Sequence, residues 1–149
     1  MTHLRKTVNK LLGEILIERG RITRAQVEDV LVYQKEKGVL FGEGLVRRQY
    51  AGEEDVVQAL MCQYGFPYIP LANYEIASNV VGALPADVCK RYGLIPIDKI
   101  GKSLTLAMSN PLNMQALEDV ERLTGCSVQA FVSTVTDINS AIKRYYETR

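Results

Sequence analysis

Between residues 11 and 64 the apolar side chains recur at helical spacing. Leu12, Ile15 and Leu16 stand at i, i+3 and i+4, the period of one buried helical face. Gly20 follows, a residue that takes the left-handed conformation of a helix stop at little cost. Thr23 and Gln26 have capping-box spacing. Val27, Val30, Leu31 and Gln34 then predict the face of a second helix, which Glu36-Lys37-Gly38 ends. Phe41, Leu45 and Val46 predict a third, short helix, and Val56, Ala59, Leu60 and Gln63 the face of a fourth. Gly52 before Glu53, Glu54 and Asp55 puts negative charge in that helix's first turn, where the dipole favours it.

This region is an internal repeat. Residues 11–34 align with residues 40–63 at an offset of 29, and eight of the 24 aligned positions are identical. They are Leu11/Leu40, Gly13/Gly42, Glu14/Glu43, Leu16/Leu45, Arg19/Arg48, Val27/Val56, Leu31/Leu60 and Gln34/Gln63. Two copies are too few for a solenoid, but they suffice for two helical hairpins that bury their apolar faces on each other.

After Gly65 the period shortens. Pro67 to Pro70 is a short extended piece bounded by prolines. Ile76 to Leu84 reads as a helix, and Pro85 opens another at its first position, running to a stop at Gly93. Leu94–Ile97 and Ser103–Met108 are predicted strands joined by a turn at residues 99–102, and Ser109-Asn-Pro111 breaks the second of them. Met114, Leu117, Val120, Glu121 and Leu123 predict a helix that Gly125 stops. Ser127–Val132 is a third strand, and Thr134 with Asp137 begins a last helix through Tyr145. The predicted fold class is α+β: duplicated helical hairpins over 1–64, then a small α/β subdomain over 65–149 with three to four short strands.

Composition narrows the function. Of 149 residues, 18 are Lys or Arg and 17 Asp or Glu, for a net charge of +1. A chain that lives on phosphate contacts carries a basic excess, so DNA or RNA binding is not expected. Cys62, Cys89 and Cys126 are odd in number and widely spaced, and His3 is the only histidine. They read as buried free thiols in a reducing cytoplasm, not as disulfides or a zinc site. No run approaches a membrane span and no secretory signal opens the chain. Gly101-Lys102-Ser103 imitates the end of a P-loop. The glycine required four intervening residues earlier is Pro96, and the tripeptide opens a strand where a P-loop opens a helix. Glu118, Asp119 and Glu121 read as a solvated helix face, and Lys143 and Arg144 complement the dipole of the last helix. No catalytic constellation is present, so the chain is not expected to be an enzyme.

Several runs together carry a family resemblance: Leu12 to Thr23, Gln63-Tyr-Gly-Phe-Pro67, Leu94 to Ile97, Leu104 to Leu112, Ala116 to Asp119, Leu123-Thr-Gly125 and Ile142 to Tyr146. In order and spacing they resemble the N-terminal domain of type II secretion and type IV pilus assembly ATPases. The resemblance implies a non-catalytic docking or regulatory domain that binds the cytoplasmic part of an inner-membrane assembly-platform protein, or the motor ATPase, with no cofactor. It implies a cytoplasmic place, peripheral at the inner membrane through that partner. The alternative it implies is a cyclic di-GMP receptor, because one branch of the family binds this dinucleotide through the helical repeat.

Carried over from that branch, the first copy keeps Leu12, Gly13, Leu16, Ile17, Gly20, Ile22, Val27, Leu31 and Gln34. The second keeps Gly42, Leu45, Val46, Val56, Leu60 and Gln63, with Phe41 for a leucine. It departs at Gln49, where the branch has glycine, and at Ala51, where it has a larger aliphatic. Leu11 and Leu40 stand where both copies have arginine. An arginine forks onto a guanine edge or stacks on its face, and leucine does neither. Lys10 or Arg5 can supply charge nearby.

Overall fold

The computed structural model describes residues 12–147; His3, Arg5, Lys10 and Leu11 lie outside them. Residues 12–18 are helical (α1). Helix α2 (Arg24–Lys37) starts at Thr23, where both halves of the capping box form: Gln26 N–H donates to Thr23 Oγ1 and Thr23 N–H to Gln26 Oε1. It stops at Gly38, φ +69°. Helices α3 (Phe41–Arg47) and α4 (Glu53–Tyr64) repeat the unit.

The two copies share backbone geometry in detail. At the end of α1, Gly20 N–H donates to the Ile17 carbonyl and Arg21 N–H to that of Leu16, both at 2.9 Å. At the end of α3, Gln49 N–H donates to Val46 and Tyr50 N–H to Leu45, both at 3.0 Å. Each is a Schellman stop. Side chains fall into register too: Leu12 and Phe41, Leu16 and Leu45, Val27 and Val56, and Val30 and Ala59 are all buried in one core.

The segment 65–70 fastens this helical half to the rest. Tyr68 bridges Val132, with Ile69 N–H donating to the Val132 carbonyl and Val132 N–H to that of Pro67. Short helix α5 (Ser78–Val81) follows, then α6 (Ala86–Tyr92). The helix expected over 76–84 shrinks to these four residues. No side chain caps it at Ala77, its last two residues are β-branched, and Gly82 ends it. Pro85 is the cap of α6 and not its first residue. Strand β1 (Leu94–Ile100) runs three residues past its expected end. It pairs antiparallel with β2 (Ser103–Met108), across a bulge between Pro96 and Asp98. Helix α7 (Met114–Thr124) crosses over to β3 (Ser127–Val132), which is parallel to β2, so the order is β1-β2-β3. Helix α8 (Val135–Ile142) is capped by Thr134 and passes into a π-turn at Lys143–Glu147. That turn directs two tyrosines back onto the body. Tyr145 Oη accepts from Ile76 N–H and donates to the Tyr74 carbonyl, and Tyr146 Oη donates to that of Val81.

Some expected surfaces come out differently. On α7, Met114 and Leu123 are 50% and 61% exposed, while Ala116 and Val120 face the core. Asp119 is not a free solvated carboxylate. The Tyr92 hydroxyl, Gln115 Nε2 and Arg122 Nη2 all donate to it, and the Tyr92 bond foremost holds it below the usual carboxylate range. Cys89 and Cys126 are buried but Cys62 is exposed. Burial pushes the Cys89 thiol up to about 11, away from reactivity.

Two apolar clusters result, one built from α1–α4 and one around the sheet. They meet at few places. Val132, on β3, packs into the helical cluster, with Leu112 against it. Glu53 Oε1, from α4, accepts from Thr136 N–H in the first turn of α8 at 2.6 Å, a helix end that favours negative charge. Leu40 rests on Gly93, where a Cβ would overlap its Cδ1.

Candidate functional site

Leu40 also lines a concavity beside that contact. A cleft of about 360 Å³ opens between the two halves, within the roughly 300–1,000 Å³ typical of small-molecule sites. One wall is the corner between the repeat copies: Gln34 from the last turn of α2, then residues 38–43. The other wall comes from the end of α6 (Lys90, Arg91, Tyr92) and from the loop after β2 (Ser109, Asn110, Asn113).

Gly93 makes this approach feasible. It holds φ +66° at the stop of α6, and a Cβ there would also come within 2.8 Å of Ser109 Oγ. Its carbonyl accepts from the Ser109 N–H and hydroxyl, tying the loop to α6.

The polar groups of the loop are oriented by their own turns. Asn110 Oδ1 accepts from Leu112 N–H, and Asn113 Oδ1 from Ala116 N–H as the cap of α7, both at 3.2 Å. A backbone N–H can be matched only by the amide oxygen, so each Nδ2 is committed to the opposite direction. Among the described residues neither Nδ2 meets an acceptor. Lys90 Nζ lies 3.4 Å from Glu147 and Arg91 Nη2 3.8 Å from Asp87, both exposed pairs. On the facing wall Glu43 is engaged by Arg47 at 2.8 Å. The cleft therefore offers donors and positive charge to an acceptor-rich, anionic ligand.

Of the residues singled out in the repeat, Gln34, Phe41 and Gly42 line this cleft. Phe41 is almost wholly buried beneath it. Leu12, Leu16, Ile22 and Leu45 are inside the helical core, at 0–5% exposure. A Cβ added at Gly13 would meet the Val27 methyls at 3.2 and 3.3 Å. Gly20 sits in an exposed turn, Ile17 and Val46 are half-buried, and Gln63 lies in α4. Val46 and Gly42 also border a small dimple against Ser133 and Val135. Leu40, at an arginine position, lines the cleft and spends its side chain on Gly93. Lys90, Arg91 and Asn113 were not singled out from sequence. Each had a sufficient local reason to be there, as a last-turn cation or a helix cap. Among the described residues no group of three His, Cys, Asp or Glu could hold a metal, and no helix is long and apolar enough to cross a membrane.

Paired helical hairpins thus face a three-stranded α/β unit across a cleft. The chain belongs to the MshEN domain family, which it matches over residues 64–149. It is 30% identical over 91% of its length to the type IV pilus assembly ATPase PilB of Myxococcus xanthus, and 33% identical over 93% to that of Thermus thermophilus. It spans only 24% and 16% of those relatives. Among solved structures it resembles MshE with cyclic di-GMP (TM-score 0.66, 26% identity, 91% of this chain and 98% of that one). It also has the fold of the N-terminal domain of XpsE (TM-score 0.75, 22% identity, 93% and 96%). The chain is thus a non-catalytic MshEN domain, similar to a part of type IV pilus assembly ATPases.

Proposed function

We propose that the chain is a regulatory module of a type IV pilus or type II secretion motor, and that it takes a cyclic dinucleotide, cyclic di-GMP, in the cleft between its halves. The observation that carries this reading is the convergence on one cleft of Gln34 and Gly42 from the repeat with donors from the α/β half. The likeness to MshE with cyclic di-GMP supports it. Leu40 in place of an arginine removes one forked contact to guanine, so binding is expected in the micromolar range, weaker than with that contact. Isothermal calorimetry with cyclic di-GMP on the wild type and Gln34→Ala tests it. Heat with the wild type and a loss of about tenfold in the variant are expected. A wild type that gives no heat at tens of micromolar refutes it.

A second reading, docking on the cytoplasmic part of an inner-membrane assembly-platform protein, is favoured by apolar side chains left in solvent, Val32, Ile100, Met114 and Leu123 among them. It would place the chain in the cytoplasm, peripheral at the inner membrane. Pull-down with that partner's cytoplasmic domain tests it, and absence of retention at micromolar concentration counts against it.

A further inference from the structure

We infer that the anion-holding wall of the cleft lies outside the repeat, in Lys90, Arg91 and Asn113 of the α/β half. The inference rests on the cleft being the ligand site and adds which chemistry each wall supplies.

The two walls differ in charge. Between Gln34 and residue 43 the lining holds no cation, and its one charged group is the acid Glu43, already engaged by Arg47. Among the described residues the opposite lining carries two cations and no acid. Both cations stand in the last turn of α6, where the helix dipole favours them. Their acidic neighbours are Glu147 for Lys90 and Asp87 for Arg91, at 3.4 and 3.8 Å, with every side chain involved at least 45% exposed. Asp119, which also feels the Arg91 charge, is engaged by the Tyr92 hydroxyl and by Arg122. Exposed pairs of this kind contribute little, so a phosphodiester loses little in displacing them.

Asn113 supplies the fixed element. It is 9% exposed, its oxygen is spent on the cap of α7, and its Nδ2 donor has no acceptor among the described residues. Asn113 lines the cleft, and its Nδ2 is open there to a phosphate or base oxygen. The repeat wall then recognises shape and base, the α/β wall holds charge, and one ligand spans both halves.

The test is calorimetry with cyclic di-GMP on the wild type, Lys90→Gln, Arg91→Gln and Asn113→Asp, with Arg24→Gln as a control away from the cleft. Asn113→Asp keeps a good helix cap while replacing the donor by a like charge. Each of the two cation variants should weaken binding by about five- to tenfold and flatten its salt dependence. Asn113→Asp should weaken it by more than about tenfold with its melting temperature preserved, and Arg24→Gln should leave it unchanged. A wild type that binds while all three wall variants bind within twofold of it overturns the inference and leaves the cleft as the site. A wild type that gives no heat overturns both.

Discussion

The first copy of the repeat turns at Gly20 and the second at Gln49, and the backbone is the same in both: φ is +71° and +62°. Glycine takes that conformation freely, and a residue with a Cβ pays about 1 kcal/mol or more. Such a conformation persists where its surroundings over-determine it. The residues flanking Gln49 supply the constraint. Arg48 Nε and the Tyr50 hydroxyl both donate to Asp29 on α2, and the Arg48 guanidinium lies over the rings of Tyr33 and Tyr50. At Gly20 the flanking side-chain tie among the described residues is a looser ion pair from Arg21 to Asp55 at 3.4 Å. One copy holds its turn by the choice of residue, the other by clamping its neighbours.

The deepest positions should not distinguish the copies. Leu16 and Leu45 are both at 0% exposure, so alanine at either should cost about 3 kcal/mol in urea unfolding. A difference above about 1 kcal/mol would break the structural equivalence. The helix-crossing glycines should distinguish them. A Cβ at Gly13 meets Val27 at 3.2 and 3.3 Å, whereas at Gly42 the nearest atom, of Val56, is 3.9 Å away. Gly13→Ala is expected to destabilise by about 1–2 kcal/mol through overpacking, and Gly42→Ala to be neutral or stabilising by about 0.5 kcal/mol through helix propensity.

The turns come next in size. Gly20→Ala should lose about 1 kcal/mol, with no steric part because no atom of the described residues lies within 4 Å of the added Cβ. Gln49→Gly should gain about 0.5–1 kcal/mol. If the clamp holds the strained turn, Asp29→Ala should cost more with Gln49 present than in the Gln49→Gly background, and additivity in that double-mutant cycle would contradict the clamp. The smallest effect is a pH dependence in the other half. The Tyr92 hydroxyl, with Gln115 and Arg122, holds Asp119 below the usual carboxylate range. A depressed native value stabilises above the unfolded value and is lost as pH falls through the native one. Tyr92→Phe should therefore melt lower than wild type at pH 7, with the gap closing toward pH 3.

Local signals were legible in the sequence wherever one residue type carries out one task. The Thr23 box, the glycine stops at 20, 38, 93 and 125, and the strand at Ser127–Val132 all appear where expected. The duplication was legible for the same reason, because Leu16/Leu45 and Val27/Val56 keep both identity and spacing. The overextended helix at 76–84 shows the limit: apolar spacing there reflects packing of Ile76, Val80 and Leu84 into the sheet cluster without a helix to join them. The cleft was half legible. Gln34, Phe41 and Gly42 stood out as repeat positions, but Lys90 and Asn113 lie more than 45 residues further along and reach the cleft only because Leu40 closes onto Gly93. That closure is a tertiary contact with no local signature.

The central claim is that the junction between the halves is the ligand site. Titrating cyclic di-GMP into the ¹⁵N-labelled chain and following amide shifts tests it most directly. Shifts are predicted together at residues 38–43 on one wall and at 90–93 and 109–113 on the other. A ligand that moves only amides away from the cleft, or none at all, would contradict the account.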